Sequence, residues 1–238
     1  MGSIVALHWV SFYGSIKYSN VSVAVTCFSA VGFFTAFIEP AIVRRKVELT
    51  EVALGLLVIA GIYLIFNFYP EYKTGLIFGI ISAFFASIFA VLNKILLVKH
   101  SASAITFYEM AGGFMILCFF VPLYLQFFDS PNSNPSFNDW MWLLILALVC
   151  TVIAFILSLN ALKSISAFTA NLSYNLEPVY SILLAFILFD EHKFLGRGFY
   201  MGITLILFAV VLQMIREWKK RKEKSKKAEL VQVNNLAV

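Results

Sequence analysis

Apolar residues run along this chain in long continuous blocks, and polar residues are confined to short breaks between them. Eight blocks stand out: 2–18, 21–43, 51–68, 75–97, 104–127, 139–162, 166–189 and 199–216. A helix needs roughly 20 residues to cross a hydrocarbon core of about 30 Å, so most of these blocks have the length of a span. The first starts beside Met1 and is the shortest. The breaks hold charges, prolines and asparagines, as in Lys17-Tyr18-Ser19-Asn20, Arg44-Arg45-Lys46, Tyr69-Pro70-Glu71 and Asp190-Glu191-His192-Lys193. All are short, which leaves no room for an inserted soluble domain. An outer-membrane barrel would read as alternating segments of about 10 residues, which these blocks are not. Lipid admits only helices and closed barrels, because each backbone amide must be satisfied internally. The pattern therefore predicts an all-α, polytopic membrane helix bundle of about eight transmembrane helices.

Composition agrees. Of 238 residues, 61% are hydrophobic and 13% are charged, against about 25% charged in soluble domains. A soluble domain, a disordered chain and a nucleic-acid binder are excluded, although the net charge is +5. The partners expected are the lipid bilayer and a small-molecule substrate. Cys27, Cys118 and Cys150 lie inside apolar blocks without C-x-x-C spacing, which predicts small core residues.

Charge orients the bundle. With the basic tail, 217–238, in the cytoplasm, 14 Lys and Arg residues fall on the cytoplasmic side. Only Lys17, Lys73, Lys193 and Arg197 fall on the other. The positive-inside rule then predicts a multi-pass protein of the cell (inner) membrane with both termini cytoplasmic.

The chain carries a faint internal repeat. Ser15-Ile16-Lys17-Tyr18-Ser19-Asn20-Val21 is similar to Ala161-Leu162-Lys163-Ser164-Ile165-Ser166-Ala167, 146 residues later. Gly55 and Ile59 match Gly202 and Ile206 at an offset of 147. Five crossings separate the two lysines, so the copies are inverted, as in many secondary carriers. The second copy has 88 residues between Gly75 and Lys163, whereas 16 precede Lys17. The difference is room for two spans at roughly 20 residues each, with loops. The domains expected are 1–70, a partial first repeat of three helices, and 75–216, a complete second repeat of five.

Ala104-Ile105-Thr106-Phe107-Tyr108-Glu109 resembles the start of the seventh helix of the EamA-like family, within the drug/metabolite transporter superfamily. Gly75-Leu76-Ile77 through Ala90-Val91-Leu92-Asn93-Lys94 resembles the sixth helix. Leu176-Glu177-Pro178-Val179, then Asp190-Glu191 and Gly202, resembles the ninth helix, its acidic turn and the tenth. Ala6-Leu7-His8-Trp9 is similar to the middle of the third. The resemblance covers nearly the whole chain and implies a ten-helix, two-repeat carrier exporting amino acids and other small metabolites. It also implies that the first two helices are absent here, with a native start upstream of Met1. A genuine eight-helix protein completed as a homodimer is the competing expectation. The first copy departs from the second in holding Gly32-Phe33 near the place of Glu177-Pro178, and Arg44-Arg45 near that of Asp190-Glu191.

Candidate binding residues follow from polarity inside spans. Glu177 falls near mid-depth, where a carboxyl must face the bundle interior. Pro178 removes a helix hydrogen bond and frees the carbonyl of Tyr174. Asn171, Tyr174, Asn175 and Pro178 share one helix face. That stripe suits either a substrate surface or contacts between helices. His8 and Trp9 sit mid-span, and each reads as cavity lining or as core. Glu109 reads as a gate residue or as an interfacial carboxyl paired with Lys94 or Lys99, and Glu39 as an ion-pair partner of Arg44-Arg45. Gly112-Gly113 predict close helix packing. No enzyme signature occurs, such as H-E-x-x-H, G-x-S-x-G or a P-loop, so a non-enzyme is expected. No cofactor is expected. His8, His100 and His192 are scattered, so no metal site is expected. Against transport stand two alternatives: a membrane scaffold or regulatory protein using the same bundle, or a transport-incompetent fragment of a carrier.

Overall fold

The computed structural model describes residues 1–44, 46–127, 134–153, 157 and 177–236. All regular structure among the described residues is helical. The helices are α1 (Gly2–Tyr18), α2 (Val21–Phe28), α3 (Val31–Val43), α4 (Leu49–Phe68), α5 (Lys73–Leu96) and α6 (Ala102–Phe127). Then come α7 (Phe137–Ile145), α8 (Glu177–Phe189) and α9 (Arg197–Leu236). A wider π-helical turn, Leu146–Ile153, continues α7.

Local chemistry sets the boundaries. Asn20 caps α2, its side chain accepting from the Val23 N–H at 2.8 Å. Ser136 and Asp139 form a reciprocal capping box at the start of α7. Arg44 ends α3 in the left-handed region at φ 56°, and Asp190 follows α8 in the same conformation at φ 54°. The block at 21–43 contains two helices. At Ser29–Ala30 the backbone tightens, with the Ser29 N–H bonding Thr26 O and the Ala30 N–H bonding Cys27 O, three residues back instead of four.

Among the described residues, four stretches are long and apolar enough to cross a membrane: Val21–Val43, Pro70–Leu96, Ala102–Gln126 and Arg197–Arg216. Leu49–Ile65, Phe137–Ile153 and Glu177–Phe189 are shorter apolar helices, and parts of the blocks at 139–162 and 166–189 lie outside the described residues.

The long helix α5 packs against α1, α2 and α3, and α1 also meets α6. Its contact face is made of small residues, Gly75, Gly79, Ala83, Ala86 and Ser87, all buried, so backbones approach closely, as bundles without a hydrophobic drive between helices require. At the other end of α1, a Cβ on Gly2 would sit 2.5 Å from the backbone of Gly112 and Gly113. Helices α4 and α9 pack antiparallel, with Gly61 against Gly202, Phe68 against Gly198, and Glu48 against Arg216. The core joins both halves of the chain through Val23, Cys27, Ile65, Leu76, Phe199 and Ile206.

One sequence expectation is corrected here. Only Cys27 is a core residue; Cys118 and Cys150 are exposed on the bundle surface. A surface facing lipid is as apolar as a core, so hydropathy does not separate them. Glu39 of α3 forms an ion pair, as expected, and its partners include Lys94 of α5 at 2.5 Å.

Candidate functional site

The polar side chains inside the bundle arise where helices cross. His8, on α1, faces Ser82 of α5. Its Nδ1 lies 3.1 Å from the Ser82 carbonyl and 2.9 Å from the Ser82 hydroxyl, and that hydroxyl reaches the His8 carbonyl at 3.2 Å. The three contacts hold together when Nδ1 carries the hydrogen and donates, while the serine hydroxyl donates to the carbonyl. Phe12 and Phe28 flank the ring at 6.2 and 5.6 Å between centroids. Trp9, next on α1, is 37% exposed.

Glu109, on α6, is 1% exposed and among the largest fully buried side chains. Its carboxylate Oε2 accepts from the Asn93 amide at 3.5 Å, and its other oxygen has no partner, as is true of Asn93 Oδ1. The expected pairing of Glu109 with Lys94 or Lys99 is therefore replaced by Asn93. Neighbouring positions on α5 point about 100° apart around the axis, so Asn93 turns inward to α6 while Lys94 turns to Glu39 of α3. Ser82 and Asn93 stand 11 residues apart on α5, about 16 Å along the axis. His8 and Glu109 thus occupy different depths and do not form one cluster.

Glu177 and Pro178 lie on α8, with Glu177 exposed and Pro178 buried. Asn171, Tyr174 and Asn175 lie outside the described residues. The tightened turn at Ala30 precedes Glu177 by 147 residues, and Arg44 precedes Asp190 by 146, close to the repeat offset.

One polar residue escaped the sequence reading. Glu191, in the short turn Glu191–Lys193 after α8, is 6% exposed. Its two carboxylate oxygens accept from the backbone N–H groups of Val21 and Ser22 at 2.8 and 2.7 Å. The partners lie 170 and 169 residues away, so no local pattern could reveal them. Nearby, Gly196 donates its N–H to the Tyr69 hydroxyl. Among the described residues no group of three His, Cys, Asp or Glu could hold a metal ion.

Comparisons with known proteins place this architecture. Relatives include an uncharacterized transporter of Archaeoglobus fulgidus, 28% identical over 202 residues, covering 85% of this chain and 70% of that protein. An uncharacterized transporter of Synechocystis is 26% identical over 161 residues, 68% of this chain and 45% of the relative. One of Methanothermobacter thermautotrophicus is 33% identical over 147 residues, 57% of this chain. This chain spans only 42% of that relative's length. No solved structure matches the chain. The model of the EamA-like transporter family matches residues 73–215, more than half of the sequence, and the chain, an apolar helical membrane protein, belongs to that family.

Proposed function

We propose that this transporter is a secondary carrier that exports small metabolites such as amino acids by alternating access, its two inverted repeats rocking around a midplane cavity. One observation carries the reading. Glu109 is a carboxyl buried on the long apolar helix α6, with one oxygen lacking a hydrogen-bond partner. A carboxyl in that position is costly and marks a solute or ion path by default, because a bundle kept only as a scaffold has no use for it. The two-repeat arrangement draws support from the matched left-handed residues Arg44 and Asp190. Glu177 and Pro178, with Asn171, Tyr174 and Asn175, supply the cavity surface on the second repeat; His8 and Trp9 supply it on the first. The 14-to-4 charge split supports placement in the cell membrane with cytoplasmic termini.

Expression in a strain that cannot export amino acids tests this. Cells challenged with a panel of single amino acids or related metabolites are expected to survive at least one of them. Glu177→Gln removes that protection while the folded protein remains in the membrane. Protection by Glu177→Gln equal to wild type would return Glu177 to a role in helix contact.

A further inference from the structure

The carboxylate of Glu191 joins the two halves of the chain at one end of the bundle. It rises from the turn after α8 and occupies the first amides of α2, a helix of the first half. With Asn20 taking the Val23 N–H and the Asn20 carbonyl taking the Ala24 N–H, all four leading amides of α2 are satisfied. A carboxylate is also the group a helix N-terminus favours electrostatically. The same end is fastened again where Gly196 donates to Tyr69, whose ring stacks on Tyr72 at 5.7 Å. At the far end of α2, Ser29–Ala30, the ladder tightens and α3 begins afresh, and the Ser29 hydroxyl is buried without a hydrogen-bond partner. Capped at its N-terminus and jointed at its C-terminus, α2 is a separate eight-residue segment packed between the two halves.

We infer that Glu191 is the gate residue of this end: its carboxylate, seated on the α2 N-terminus, holds the two repeats closed there, and its release lets α2 swing away from α5 and α8. The gate is one-sided. The equivalent register of the first repeat holds Arg44 and Arg45, cations that a helix N-terminus repels. The inference rests on the alternating-access reading, but its test reads opening and not flux.

Cys27 is the reporter. It lies on α2, is fully buried, and touches Gly79 of α5. In a protein with Cys118 and Cys150 replaced by alanine, a membrane-impermeant maleimide is expected to label Cys27 slowly. Glu191→Ala, which removes both acceptors, is expected to raise that rate at least tenfold. Glu191→Asp keeps the charge and is expected to fall between the two. A disulfide formed between Ser22→Cys and Glu191→Cys is expected to suppress Cys27 labelling below the parent rate and to release it on reduction. This second arm decides the matter where Glu191→Ala elutes as aggregate. An unchanged labelling rate in folded Glu191→Ala, or in the oxidised double cysteine, overturns the assignment. Loss of solute flux with normal Cys27 gating would instead overturn only the transport reading.

Discussion

Single side chains separate structural from functional polarity. Glu109 has one amide partner at 3.5 Å and one unpartnered oxygen. Glu109→Gln preserves a carbonyl acceptor for Asn93 and removes the charge, so its thermal midpoint in detergent is expected to stay near the parent's. Glu109→Ala leaves Asn93 without its acceptor, a loss of ~1–3 kcal/mol that a falling midpoint would show. If Glu109 serves only helix contact, the Gln variant transports normally; the carrier reading predicts that its transport falls although its stability does not. His8 provides a contrast. Its Nδ1 is tied to Ser82 of α5, and Ser82→Ala, which deletes the hydroxyl, is expected to destabilise by ~1 kcal/mol. Of these residues the sequence revealed depth but not partners. Asn93, Lys94 and Glu109 are all visible in it, yet which of the adjacent Asn93 and Lys94 meets Glu109 depends on the rotation of α5.

At the scale of elements, apolar length predicted the helices well, since a block without breaks has only one way to satisfy its backbone in lipid. It failed at Ser29–Ala30, where the block at 21–43 divides. Neither residue is Pro or Gly, and the turn is imposed by what α2 and α3 each pack against, α8 and α4 respectively as well as α5. The crossing of α4 and α9 was partly legible, because Gly55 and Gly202 recur at the repeat offset. The actual contact is Gly61 on Gly202, where an added Cβ at 202 would sit 2.6 Å from the Gly61 carbonyl. Backbone cannot yield as a flexible side chain does, so Gly202→Ala is expected to cost ~1–3 kcal/mol by overpacking. A thermal shift in detergent micelles checks it. A midpoint equal to the parent's would mean that the two helices separate at no cost.

At the scale of the whole molecule, charge placement is the strongest statement the sequence makes, because it counts every Lys and Arg at once. The structure draws one end of that assignment together: Arg216, before the basic tail, bonds Glu48 and lies 3.6 Å from Glu51 at the start of α4. The loop containing position 134 belongs to the opposite side in this reading. A cysteine at Asn134, in a background without native cysteines, is expected to react with an impermeant maleimide in intact cells; reaction only after permeabilisation would invert the topology. What remained illegible at this scale is how the halves are fastened, since Glu191 and the amides of Val21 and Ser22 lie at opposite ends of the sequence. The most direct test of the carrier reading is solute uptake by purified protein in sealed proteoliposomes, assayed across a panel of radiolabelled amino acids and small metabolites. The account predicts saturable, competable flux of at least one solute above protein-free vesicles, lowered by both Glu109→Gln and Glu177→Gln. Folded, monodisperse protein that moves none of them faster than empty vesicles would contradict it.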